Sequence, residues 1–115
     1  MNYRTFVTQT KITMQVKDYT NDLLRSGKAA QAIKELTAML ANDFSPAEQA
    51  ADLDMASAEE LHYLIGNSYY KIGNWQKAIQ HYNEACAYNA DSPAKEKLKM
   101  TYSILEFYNK DIYGQ

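Results

Sequence analysis

The chain has 115 residues, of which 46% are hydrophobic and 23% charged, and its 12 Lys and Arg against 14 Asp and Glu leave a formal net charge of −2. This composition excludes wholesale disorder and provides for one domain around one modest core. The balance of charge, without a run of Lys and Arg, excludes the basic footprint that a nucleic-acid backbone demands, and no stretch of ~18 successive apolar residues is present to span a membrane. The opening residues MNYRTFVTQTKITM contain no continuous apolar segment of the kind a signal peptide needs. A lone cysteine, Cys86, cannot close an intramolecular disulfide, which fits a cytoplasmic location. The ten tyrosines against three Phe and one Trp favour half-buried aromatic positions that keep a hydroxyl toward water or a partner.

Residues 1–10 are polar and Thr-rich and read as a flexible N-terminal arm. From Ile12 onward, Val16, Tyr19, Leu23 and Leu24 recur at steps of three to four, which predicts a first helix over 11–26, stopped by Gly27 with Arg25 in its last turn. Ala29, Ala32, Ile33, Leu36, Met39 and Leu40 keep the same period and predict a second helix at once. Ser45-Pro46-Ala47-Glu48 reads as a capping box with proline at the first helical position and predicts a short helix near 46–52. A second box, Ser57-Ala58-Glu59-Glu60, starts a third helix that runs to Ile72 before Gly73. Asn74 caps a fourth over 75–89, and Ser92-Pro93 opens a fifth whose apolar stripe is Leu98, Thr101, Tyr102, Leu105 and Tyr108. No alternation of β-branched residues competes, so the expected class is all-α, with five main helices and one short inserted helix.

Within Glu59–Ala90, small residues fall where two helices would cross and aromatics where they would interlock: His62, Ile65-Gly66, Tyr69, then Ala78 and Tyr82. This spacing resembles the tetratricopeptide repeat, whose pattern is W-x2-L-G-x2-Y, then A-x3-F, then P, over about 34 residues. His62 stands at the Trp place and Ala90 at the Pro place, with Pro93 following. Upstream, Arg25-Ser26-Gly27 and Gln31-Ala32-Ile33 occupy equivalent places to Lys71-Ile72-Gly73 and Lys77-Ala78-Ile79. Gly27 and Gly73 are 46 positions apart, which exceeds one repeat by about 12 residues and marks an insertion. The resemblance therefore implies antiparallel helix hairpins in a right-handed α-α superhelix: a degenerate first repeat at 11–41, an insertion at 42–57, a second repeat at 58–90 and a capping helix at 92–110, all in the single domain 11–115.

In that family the first helix of each pair lines a concave groove that binds extended peptides or partner helices. The resemblance thus implies a non-catalytic protein–protein interaction module, with Lys17, Asn21 and Arg25 of the first helix and Tyr63, Asn67, Tyr70 and Lys71 of the third facing the partner. The plainer reading makes these the solvated faces of amphipathic helices. Lys17 and Asn21, one turn apart, also resemble half of the clamp by which some members hold a peptide's C-terminal carboxylate, a device that needs further cations of which the fifth helix offers Lys97 and Lys99. No catalytic residue is assigned: His62, His81 and Cys86 are the usual candidates, and Cys86 sits on an apolar stripe with Ile79 and Tyr82, as a buried inert thiol would. No spacing fits a zinc or calcium site, and no cofactor is expected. The alternative function is structural, a homodimer completed by the C-terminal helix or the insertion. Met100, Ile104, Phe107, Ile112 and Tyr113 would form its patch.

Overall fold

A computed structural model of the chain describes residues 13–41, 52–53 and 56–112, with side chains at 14–41 and 56–108. The described elements are β1 (Thr13–Met14), α1 (Val16–Arg25), α2 (Ala29–Leu40), β2 (Asp52–Leu53), α3 (Ala58–Lys71), α4 (Trp75–Tyr88) and α5 (Ala94–Ile112). The class is all-α.

Two hairpins, α1–α2 and α3–α4, turn in the same way. Gly27 and Gly73 take φ of 75° and 80°, which only glycine adopts without strain. In the first turn Lys28 N–H donates to the Leu23 carbonyl at 2.8 Å and Gly27 N–H to that of Leu24 at 3.1 Å. In the second, Asn74 N–H donates to the Tyr69 carbonyl at 2.9 Å and Gly73 N–H to that of Tyr70 at 3.1 Å. This is the paired closure that satisfies the last carbonyls of a helix. The following helix then starts differently in each. The Asn74 side chain accepts from Lys77 N–H at 3.2 Å, whereas Lys28 makes no side-chain cap. Ser57 opens α3 by accepting from Glu60 N–H at 3.1 Å. Ser92 precedes α5 and accepts from Ala94 N–H at 3.1 Å.

The core has two parts. Val16, Leu23, Ala32, Leu36, Leu61, Leu64 and Ile65 form one, among α1, α2 and α3; Ala78, Tyr82, Ala85 and Ala94 form the other, between α4 and α5. Tyr63 and Tyr69 pack against both and join them. The α3–α4 crossing rests on Gly66, because a Cβ added there would lie 2.6 Å from Cε1 of Tyr82, a ring that is itself wholly buried. Any side chain at Gly66 would push that ring away, and with it the approach of the two helices.

Four features depart from the sequence expectation. The first helix starts at Val16 rather than 11, because Thr13 and Met14 are extended and pair in parallel with Asp52 and Leu53. That partner lies far away in sequence, so no local signal announces it. Asp52 is likewise extended, at odds with the last position of the helix expected near 46–52; residues 46–51 lie outside the described residues. On α5, Thr101 is buried and Leu98 and Leu105 are half-buried, yet Tyr102 and Tyr108 are 51% and 47% exposed, because the stripe facing α4 passes through Ala94, Leu98 and Thr101. Cys86 is half-buried at the edge of the second cluster rather than enclosed.

Gly66→Ala should therefore lower stability by roughly 1–3 kcal/mol, the usual cost of overpacking a filled crossing. Gly27→Ala, where a Cβ would meet nothing within 4 Å, should cost only the ~1–2 kcal/mol of its positive φ. Thermal melts measure both. A Gly66→Ala protein melting with the parent would show that the Tyr82 ring moves aside freely.

Candidate functional site

The first helix of each hairpin and the closing helix α5 turn one face toward a shared hollow. Asn21, Leu24 and Arg25 of α1, Asn67, Tyr70 and Lys71 of α3, and Lys97 of α5 line a cavity of about 300 Å³. Five of these, Asn21, Arg25, Asn67, Tyr70 and Lys71, are residues that the sequence places on the groove. Lys17 is exposed one turn before Asn21 and does not line the cavity. Tyr63 does not line it either: it is half-buried between the two core clusters, its ring centroid 6.1 Å from that of Tyr82.

The register of α5 separates Lys97 from Lys99. Lys97 enters the hollow and sets its ammonium 4.1 Å over the centre of the Tyr70 ring, a cation–π contact. Partial burial holds its pKa below the usual lysine value. Lys99 instead pairs with Glu96 at 3.7 Å on the exposed side. Leu24 completes the lining from the edge of the apolar stripe, a placement that needed the pitch of α1 against α3.

Asn67 is held from behind. The Tyr82 hydroxyl donates to its Oδ1 at 2.5 Å, and burial pushes the Tyr82 pKa far up, so the phenol stays protonated and remains the donor. With Oδ1 taken, the amide offers its two Nδ2 hydrogens to the hollow it lines. Arg25 pairs with Asp22 one turn earlier on the exposed side, and guanidinium donors remain beyond that contact. The charged groups lining the hollow are thus all cations, Arg25, Lys71 and Lys97, with the Asn67 amide between them as a further donor. Such a wall is suited to receive anions. Among the described residues no group of three His, Cys, Asp or Glu is placed to hold a metal. None of their helices is long and apolar enough to cross a membrane.

The residues least legible in sequence are the two histidines. His62 and His81 meet across the α3–α4 crossing, Nδ1 to Nδ1 at 3.1 Å. They are 19 positions apart on different helices, so spacing alone gave no sign of the contact.

Residues 59–92 match the family model described as tetratricopeptide repeat. No curated protein matches the chain. A solved structure does: the solution NMR structure of Bacteroides fragilis protein BF1650 superimposes with a TM-score of 0.63 at 37% identity, covering 85% of this chain and 88% of that one. The matched segment is the α3–α4 hairpin together with the turn that leads to α5, the part built on Gly66, Tyr82 and the Gly73 closure. Tetratricopeptide repeats generally mediate protein–protein interaction and are typically non-catalytic scaffolds, and it is to the tetratricopeptide-repeat family that this chain belongs.

Proposed function

We propose that the chain is a non-catalytic, cytoplasmic binding module whose concave face holds an extended peptide bearing carboxylates. We read 11–41 and 58–90 as its two repeats, 42–57 as the insertion between them and 92–110 as the closing helix. The observation that carries the function is the convergence of Arg25, Lys71, Lys97 and the Asn67 amide on one hollow. Extended backbone exposes carbonyls that such donors can receive, and Tyr70 adds flat apolar area with a polar tip. Its size, about 300 Å³, suits a few side chains of a strand better than a helix ~10–12 Å across. Lys17, outside the hollow, lies one turn before Asn21 and would meet the peptide further along.

The test uses a fluorescently labelled Glu-rich peptide and its Gln counterpart, read by anisotropy. The Glu peptide should bind, the Gln peptide should bind at least about tenfold more weakly, and the affinity should fall with salt. Arg25→Glu with Lys71→Glu, both exposed positions, should reduce capture by about tenfold or more while helicity is unchanged, since each lost charged hydrogen bond is worth roughly 1.5–3 kcal/mol. Equal binding of both peptides would remove the anionic reading. Tyr63 is a poor probe of this surface because its truncation would open the core.

The second reading, a homodimer through the C-terminal helix, is favoured by one feature of α5. Met100 and Phe107 are 48% and 67% exposed, and with half-buried Ile104 between them they follow helical spacing on a flank turned away from α4. Ile112 ends α5, while its side chain and all of Tyr113 lie outside the described residues. Sedimentation of the full chain at tens of micromolar decides this reading. A dimer that Phe107→Glu converts to monomer supports it, and a monomeric parent overturns it.

A further inference from the structure

His62 on α3 and His81 on α4 lie Nδ1 to Nδ1 at 3.1 Å, their ring centres 5.3 Å apart and their planes inclined by 28°. The centre-to-centre distance exceeds the nitrogen separation by about two ring radii. Each Nδ1 therefore points along the line joining the rings, and the imidazoles meet edge to edge rather than face to face. Two Nδ1 atoms so placed attract only when one carries hydrogen and the other a lone pair. A metal held ~2.0–2.1 Å from both nitrogens would have to sit off both lone-pair axes; the end-on arrangement suits a proton.

We propose that His62 and His81 form a proton latch across the α3–α4 crossing, which keeps its bond through one protonation and opens on the second. In the neutral pair the rings are opposite tautomers, one with Nδ1–H donating and one with Nε2–H whose Nδ1 accepts. The first proton goes to the free Nε2 of the donating ring. That imidazolium still donates from Nδ1, and the bond becomes charge-assisted. The second proton can only take the lone pair of the accepting Nδ1, which leaves two N–H groups and two like charges end to end in a half-buried place.

The surroundings keep the rings in this arrangement. Tyr69 lies near-parallel to His81 with centres 5.7 Å apart, and Tyr88 to His62 at 6.0 Å. Burial lowers both imidazole pKa values from 6.5; His62 and Lys77 lower that of His81 further, and Glu84 favours the charged form of both. Glu59, one turn before His62, takes a hydrogen bond from Asn89 at 3.5 Å. Among the described residues, no charged group on α1, α2 or α5 bears on either ring. Because the folded values lie below 6.5, the unfolded chain binds more protons beneath that pH. Burial of the pair thus contributes its full stability above about pH 6.5 and loses it as pH falls through the lowered folded values, while the bond of the latch itself is lost only at the second of them.

These are the chain's only two histidines, so a pH titration of the ¹⁵N-imidazole-labelled full chain by NMR reads the pair directly. At about pH 7.5 one ring should be the Nδ1–H tautomer and the other the Nε2–H tautomer. Titration should proceed in two steps, the lower of them well under the ordinary histidine value, with the melting temperature flat above neutrality and falling toward about pH 5. His62→Phe, which keeps an aromatic ring against Tyr88, should return His81 to one step and flatten that fall. Two rings of the same Nε2–H tautomer titrating independently near the ordinary value would overturn the latch. Should His62→Phe fail to fold, the tautomers of the unaltered chain decide alone. None of these readings depends on peptide capture, so the latch and the groove stand or fall separately.

Discussion

The Tyr82 ring against the bare backbone of Gly66 is the contact on which most of this molecule depends. With no Cβ at Gly66, the ring of α4 seats directly on α3, and the close approach lets Ile65, Ala78 and Ala85 bury completely. A buried phenol is costly unless its hydroxyl finds a partner. Here the partner is Asn67, the residue after Gly66, so the side chain that sets the helix crossing also fixes the amide at the concave face. Packing and the lining of the hollow therefore share one residue: an alteration that frees Tyr82 would loosen the core and let the Asn67 amide turn.

Much of this was legible because it is local. Gly27 and Gly73, each placed one residue beyond a helix cap, announce the two turns, and Ser57 and Asn74 announce the helices they cap. The Gly66 and Tyr82 spacing announced the crossing, since a gap in one helix and a bulk in the next are visible in a single stretch of sequence. The groove residues Asn21, Arg25, Asn67, Tyr70 and Lys71 came from the family pattern, and the hollow brings those five together.

What was missed depends on pitch and on distant partners. Thr13 and Met14 read as the start of a helix because nothing nearby says that residues 52 and 53 will pair with them. Tyr102 and Tyr108 have the right spacing for a buried stripe, but the narrower seam through Ala94, Leu98 and Thr101 took the contact with α4 and left both outside. Lys97 and Lys99 differ by about 200° around a helix of 3.6 residues per turn, so only the orientation of α5 could say which one enters the groove. Tyr63 shows the same ambiguity in reverse: a tyrosine on the first helix of a repeat suits the groove or the seam, and here the seam between two clusters takes it.

The closing helix makes the groove more than a property of the repeats. α1 supplies Asn21 and Arg25 and α3 supplies Asn67, Tyr70 and Lys71, but the third wall comes from α5, whose Lys97 lies across Tyr70. That ammonium is partly desolvated, with an aromatic face as its neighbour, and the π contact offsets only part of the lost hydration. An arriving carboxylate would restore what burial removed from the lysine. Met100, Ile104 and Phe107 follow Lys97 by three, seven and ten residues, so at about 100° per residue this apolar patch borders the cationic wall on the same side of α5.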